Sequence, residues 1–134
     1  MKKVMLGRIA GIMLLSALCF SMLTTPANAS KRNFSEAQTA NGKTTMWAPS
    51  GTAGYSIVSG TSVNMGFTMK TAETNVVGGL YNANTTVKTS FCSGNGTKTM
   101  SGTKTVTTAG TYAAYFTNNS AGTVTTTNAS YIDF

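Results

Sequence analysis

Between residues 62 and 70 the chain alternates apolar and polar side chains without a break. Val63, Met65, Phe67 and Met69 fall on one side, and Asn64, Gly66, Thr68 and Lys70 on the other. Only an extended strand sorts residues with a period of two, so this run predicts a half-buried strand whose apolar face needs a covering layer. Gly110–Asn118 carries the same signal, with Tyr112, Ala114 and Phe116 alternating against Ala113, Tyr115 and Thr117. Nothing after residue 29 sustains a helical period. Shorter strands are expected at 44–48, 55–58, 76–81, 87–92, 98–107, 123–127 and 130–134.

Turn residues punctuate these runs. Asn41-Gly42 and Asn95-Gly96 supply the positive φ that tight hairpins need. Pro49-Ser50-Gly51, Asn82-Ala83-Asn84 and the stretch 118–122 mark looser connections. Gly78-Gly79, inside a strand run, predicts a bulge or a close backbone approach. About eight short strands at this spacing read as an all-β fold, a small antiparallel β-sandwich or jelly roll. Residues 30–43 are polar and irregular, either a flexible segment or a first edge strand, and residues 44–134 form the sandwich domain.

The N-terminus reads as a cleavable secretory signal. Lys2, Lys3 and Arg8 precede an uncharged apolar run from residue 9 to 23, short for a bilayer span of about 20 residues. Pro26 then breaks the signal-peptide helix, and Ala27-Asn28-Ala29 places small residues at the cleavage subsites, predicting a cut after Ala29. That leaves residues 30–134, 105 of the 134, enough for one domain. No stable membrane insertion is expected after cleavage. The style of the leader points to secretion from a Gram-positive bacterium.

The remaining segment holds seven cations (Lys31, Arg32, Lys43, Lys70, Lys88, Lys98, Lys104) and three acids (Glu36, Glu73, Asp133), a net charge of about +4. The cations are scattered, without the basic cluster of a nucleic-acid footprint, so no nucleic-acid partner is expected. Charged residues make up 10% of the chain, so Thr, Ser, Asn and Gly must carry solubility. Cys19 leaves with the leader, and Cys92 remains alone, either a buried thiol or one half of an intermolecular bridge. Counting back by twos from Phe134 meets Ile132 and then Ser130, Asn128 and Thr126, which argues against a membrane-barrel strand.

The chain contains no histidine, which removes the commonest general base and the usual partner of a serine or cysteine nucleophile. Its three late acids sit in separate segments, so a carboxylate pair is not expected. No enzyme activity, cofactor or metal site is predicted. Gly42-Lys43-Thr44 imitates the end of a phosphate loop, but Ala37 stands where that loop needs its first glycine. Trp47, Tyr55, Tyr81, Tyr112, Tyr115 and Tyr131 are the aromatic candidates for stacking on a sugar. Tyr112 and Phe116 share the apolar side of their strand and are assigned to the core. Trp47 and Tyr55 flank the Pro/Gly-rich loop and are selected as the exposed ligand-stacking pair.

Residues 76–131 resemble the jelly-roll accessory modules of secreted bacterial hydrolases, the pre-peptidase C-terminal type. The resemblance rests on Gly79-Leu80-Tyr81-Asn82, on the stretch from Thr105 to Tyr112 ending in Ala109-Gly110-Thr111-Tyr112, and on Asn119-Ser120-Ala121-Gly122-Thr123-Val124. It implies a β-sandwich with a non-catalytic role. The acidic residues that precede the Leu-Tyr strand in that family are replaced here by Val76-Val77-Gly78-Gly79, so the resemblance carries no calcium site.

Together these features predict a secreted, non-catalytic protein that binds a glycan or cell-envelope component. A bacteriocin-like antimicrobial protein and a self-assembling extracellular matrix protein are the alternatives, and the oligomeric state is left open.

Overall fold

The computed structural model describes residues 30–134. The leader expected over residues 1–29, with the helix and the cut after Ala29 expected there, falls outside the described residues. Among the described residues there are eleven strands and no helix: β1 (Lys31–Asn33), β2 (Ala37–Thr39), β3 (Lys43–Trp47), β4 (Tyr55–Ile57), β5 (Ser62–Glu73), β6 (Val76–Asn82), β7 (Lys88–Ser93), β8 (Thr97–Thr105), β9 (Gly110–Asn118), β10 (Val124–Thr126) and β11 (Tyr131–Asp133). They form two antiparallel sheets, so the described residues fold as an all-β sandwich.

In the first sheet β5 runs the full length. β8 pairs along one of its edges, while β11 and β10 sit end to end along the other, extended outward by β1 and β2. In the second sheet β9 is flanked by β6, which carries β7, and on its other edge by β3 and β4 in series. Three of the long strands are therefore interrupted, which is why eleven segments occupy about eight strand positions. The gap between β3 and β4 contains Pro49, which has no amide proton for a ladder. The gap between β10 and β11 is bridged by a side chain: the buried Ser130 Oγ accepts from the Thr68 amide at 3.0 Å.

Both Asn-Gly pairs form turns, with Gly42 at φ 72° and Gly96 at φ 84°. Neither closes the hairpin expected from the sequence. β2 and β7 lie in one sheet each, and their successors β3 and β8 lie in the other, so the two turns carry the chain across the sandwich. The expected irregularity at Gly78-Gly79 is present, as a register shift in the pairing of β6 with β7.

The apolar face of β5 is the floor of the core. Val63, Met65, Phe67 and Met69 are all at most 1% exposed. Phe67 stands at the centre of an aromatic cluster, with ring centroids 5.8 Å from Phe34, 6.0 Å from Trp47 and 5.5 Å from Phe116. Phe34 and Trp47 stack on each other at 5.0 Å, 15° from parallel. Phe67 reaches across the sandwich because Gly78 offers no side chain; a Cβ there would collide with the Phe67 ring. Tyr112 and Phe116 both lie in this core, as expected, and the Tyr112 hydroxyl donates to the Thr108 carbonyl at 2.5 Å.

Polar seams tie the layers together. Asn118, fully buried, donates to the Thr39 carbonyl at 2.8 Å and the Gly122 carbonyl at 2.7 Å. Its Oδ1 accepts from the Ser120 amide at 2.8 Å and the Ser120 hydroxyl at 2.6 Å. Thr39 and Thr45, from opposite sheets, share a 2.6 Å hydroxyl–hydroxyl bond.

The Gly78–Phe67 contact sets the spacing of the two sheets. Gly78→Ala is therefore expected to destabilise the fold by about 1–3 kcal/mol, the usual cost of overpacking a close-packed core. Thermal unfolding checks this: a loss of that size lowers the midpoint by roughly 4–8 °C per kcal/mol in a domain of about 100 residues. Adding Phe67→Leu to Gly78→Ala should recover part of the loss, because the smaller side chain makes room for the new methyl.

Candidate functional site

The two residues selected from the sequence as exposed stacking groups are both buried, at 8% exposure each. Trp47 ends β3 pointing inward, its face covered by Phe34 and its indole N–H donating to the Ser35 carbonyl at 3.1 Å. Tyr55 begins β4 and packs edge-on against Phe134 at 5.8 Å, with the Arg32 guanidinium 5.7 Å from its ring centre. Burial pushes the Tyr55 phenol up, and Arg32 partly opposes that shift. A sugar finds no open ring face at either residue. Adjacency to a Pro/Gly loop suggested exposure, but the inward positions of both strands fall on these residues.

The outward face of the second sheet presents a different set. Alternation along β9 and β6 turns Ala113, Tyr115 and Thr117, with Val77 and Tyr81, away from the core. β3 adds Thr44 and Met46, and β7 adds Lys88. Tyr115 is only 3% exposed although it points outward. The Lys88 ammonium lies 5.2 Å from its ring centre and continues to Thr44, donating to Oγ1 at 3.3 Å. Thr44 is in turn bonded to Thr117 by a 2.8 Å hydroxyl–hydroxyl contact.

That reach fixes the shape of the face. β7 and β3 are separated by three inter-strand steps of about 4.8 Å, or roughly 14 Å if the sheet were flat. A lysine side chain extends only about 6 Å from its Cα. Lys88 stands opposite Tyr81 and Ala113, whereas Thr44 stands opposite Thr117. The two therefore meet along a diagonal that the twist of the sheet raises at both ends, and along that diagonal the outward face forms a shallow trough. Its floor holds Tyr115 and Ala113, its wall the half-buried Tyr81, and its rim Met46 at 44% exposure. Burial and the neighbouring Cys92 thiol push the Tyr115 phenol up, so it remains a neutral donor across the physiological range.

A second concavity opens at one end of the sandwich, between the β6–β7 turn and the segment joining β8 to β9. Its wider part, about 300 Å³, is lined by Asn82, Thr85, Val87, Thr89, Thr107, Thr108 and Tyr112. A narrower part of about 70 Å³ shares Thr89, Thr107 and Tyr112 and continues past Phe91 and Lys104, so the two are one cleft.

Groups that could support bond-making chemistry are engaged separately. Glu36 pairs with Lys70 at 2.6 Å, Glu73 accepts from the Thr71 hydroxyl at 2.7 Å, and Asp133 lies opposite Lys31 in the β1–β11 ladder. Among the described residues no three of His, Cys, Asp and Glu cluster closely enough to hold a metal ion. Cys92 is a free, buried thiol whose Sγ faces the Gly78 carbonyl at 3.9 Å.

The trough was only partly visible in the sequence. Tyr81 and Tyr115 stood among the aromatic candidates, and alternation along residues 110–118 set Tyr115 on the side opposite Tyr112 and Phe116. Nothing local announced that Lys88 would cross the sheet, because that depends on curvature set by strands far apart in the chain.

Burial raises the Cys92 thiol from its ordinary 9.0 to about 11. The folded protein therefore holds this proton more tightly than the unfolded chain, and the associated stability is complete below pH 9 and lost as pH climbs through about 11. Alkylation of the native protein should accordingly be slow at neutral pH and rise only in that alkaline window, whereas denatured protein reacts at once. Rapid native labelling at pH 7 would show Cys92 to be accessible. Comparison with known proteins finds no family model that matches the chain, and no match among curated proteins or solved structures.

Proposed function

We propose that this is a secreted, non-catalytic binding protein that holds a glycan or cell-envelope component in the trough of the second sheet. The observation that carries the reading is the Lys88 bridge, which spans the outward face and gathers an ammonium, hydroxyls and tyrosine rings along one line. Sugars offer apolar C–H faces to aromatic rings and hydroxyls to polar rims. Tyr81 and Met46 supply the first kind of surface, and Thr44, Thr117 and Lys88 the second. A flat or convex polar face would contact a chain molecule along a single line. A trough contacts it on three sides.

The strand order supports the architectural part of this reading. With the interrupted strands counted as one each, the sheets run β1/β2, β10/β11, β5, β8 and β3/β4, β9, β6, β7. That is the order of an eight-strand jelly roll, an architecture shared by many lectin domains. The resemblance of residues 76–131 to accessory modules of secreted bacterial hydrolases agrees with it. The leader read from residues 1–29 and the small positive charge fit a bacterial cell surface or the medium around it.

Retention on purified cell walls and on insoluble polysaccharide tests the proposal. The protein should be held on at least one of them, and Tyr81→Ala should weaken retention about tenfold, roughly 1.4 kcal/mol of lost stacking. Circular dichroism should show Tyr81→Ala still folded, because Tyr81 lies outside the core. Absence of retention on every matrix, or equal retention of the variant, would rule the trough out as the binding surface. Clearing of a bacterial lawn by the purified protein would favour the antimicrobial alternative.

A further inference from the structure

The two buried asparagines in the sheets are treated differently by their surroundings. Asn118 uses its amide completely, with two bonds accepted and two given. Asn82, at the end of β6 and only 5% exposed, uses half. Its Oδ1 accepts from the Asn84 amide at 2.9 Å and the Thr85 amide at 3.2 Å, which shapes the β6–β7 turn. Its Nδ2 gives no hydrogen bond to any described residue. Among the described residues no fully enclosed polar side-chain atom lacks a partner, so the small exposed part of Asn82 includes this donor. Asn82 lines the end cleft, and its Nδ2 lies on the Gly110 side of the residue, 3.3 Å from where a Cβ on that glycine would stand.

The surroundings of that donor define what it can take. The wide part of the cleft is lined by four threonines, Val87 and Tyr112 besides Asn82, and by no charged side chain. The one charged side chain of the cleft, Lys104, lines its narrower part, so the wide part suits a neutral group. Val87 is 57% exposed at the mouth, an apolar surface that water gains nothing by covering. The turn carrying it also holds the one non-glycine residue with positive φ among those described, Thr86 at 61°. A β-branched residue in that region is strained, and such strain persists where the surroundings fix a particular loop shape. A cavity of about 300 Å³ is at the lower end of small-molecule sites, which run from roughly 300 to 1,000 Å³.

We propose that the end cleft is a second binding site, separate from the trough, that takes one acetamido-bearing sugar unit. The Asn82 Nδ2 donates to the acetamido carbonyl, and the acetamido methyl rests against Val87 and the edge of Tyr112. The threonine hydroxyls, which both give and accept, meet the ring hydroxyls. A sugar without the acetamido group leaves the Asn82 donor without its acceptor and Val87 uncovered. The cleft therefore discriminates by the carbonyl and methyl rather than by the ring.

The experiment is a titration of isotope-labelled protein followed by NMR, reading the Asn82 side-chain amide. The probes are the trimer of N-acetylglucosamine and cellotriose, which share a linkage and differ in the acetamido group. The trimer should shift the Asn82 amide and the Val87 methyls, and cellotriose should bind at least tenfold more weakly. Asn82→Asp retains the Oδ1 acceptor for the turn and removes the donor, so it should lower trimer affinity by tenfold or more. Should that variant fail to fold, the comparison of the two trisaccharides on the unmodified protein decides alone. No response of the Asn82 amide, or equal affinity for both probes, would overturn the proposal. Shifts confined to Tyr81, Met46 and Lys88 would also overturn it, while leaving the trough as the binding surface.

Discussion

The contact between the Phe67 ring and the empty side of Gly78 is the constraint on which the rest of the molecule depends. Sheets in a sandwich pack about 10 Å apart, and a phenylalanine facing a side chain would hold them wider. By leaving one position without a Cβ, β6 lets Phe67 enter the opposite layer and touch Phe34, Trp47 and Phe116 together. The cluster draws β3 and the connection after β1 over the same spot, so the N-terminal segment is part of the core through Phe34, 4% exposed. It also places Gly78-Gly79 at the register shift between β6 and β7, the point beyond which β7 leads toward Lys88 and the end cleft.

The outer faces inherit their chemistry from this arrangement. With so few charges, the surface is made of hydroxyls, amides and a small number of tyrosines. On the first sheet Tyr131 lies across Gly66, opposite which it is paired, and Lys31 covers the ring at 4.3 Å. On the second, Lys88 covers Tyr115 in the same manner, but there the sheet twists and the cover spans a trough. A lysine bridging such a trough with a single 3.3 Å bond to a hydroxyl is easily displaced, since the ammonium is as well satisfied by water. The carboxylates take no part in either concavity.

Much of the architecture was legible because alternation is a local property. The runs in β5 and β9 gave both sheets their central strands, and parity alone assigned Phe67, Tyr112 and Phe116 to the core. Gly78-Gly79 announced a close approach, though not that Phe67 would be the neighbour. The destination of a turn was not legible. Asn41-Gly42 and Asn95-Gly96 fix a backbone conformation, but whether the chain then pairs with itself or crosses to the other sheet depends on the whole strand order. Exposure of Trp47 was misjudged for a related reason. A five-residue strand ending at Trp47, two residues before Pro49, has two possible faces, and only its register against Ala114 of β9 decides which one is inward. Asn82 was legible as a turn residue but not as a free donor, since an unused half of an amide is visible only once every potential acceptor has been placed.

Trp47 is the only tryptophan in the chain, so its fluorescence reports the aromatic cluster and nothing else. If Phe67, Phe34 and Trp47 pack as described, emission is blue-shifted, resists quenching by acrylamide, and stays unchanged when cell-wall polysaccharide is added. Emission at the wavelength of free tryptophan with full quenching, or a change on adding the polysaccharide, would contradict both the packing of the sandwich and the location of binding on its outer surfaces.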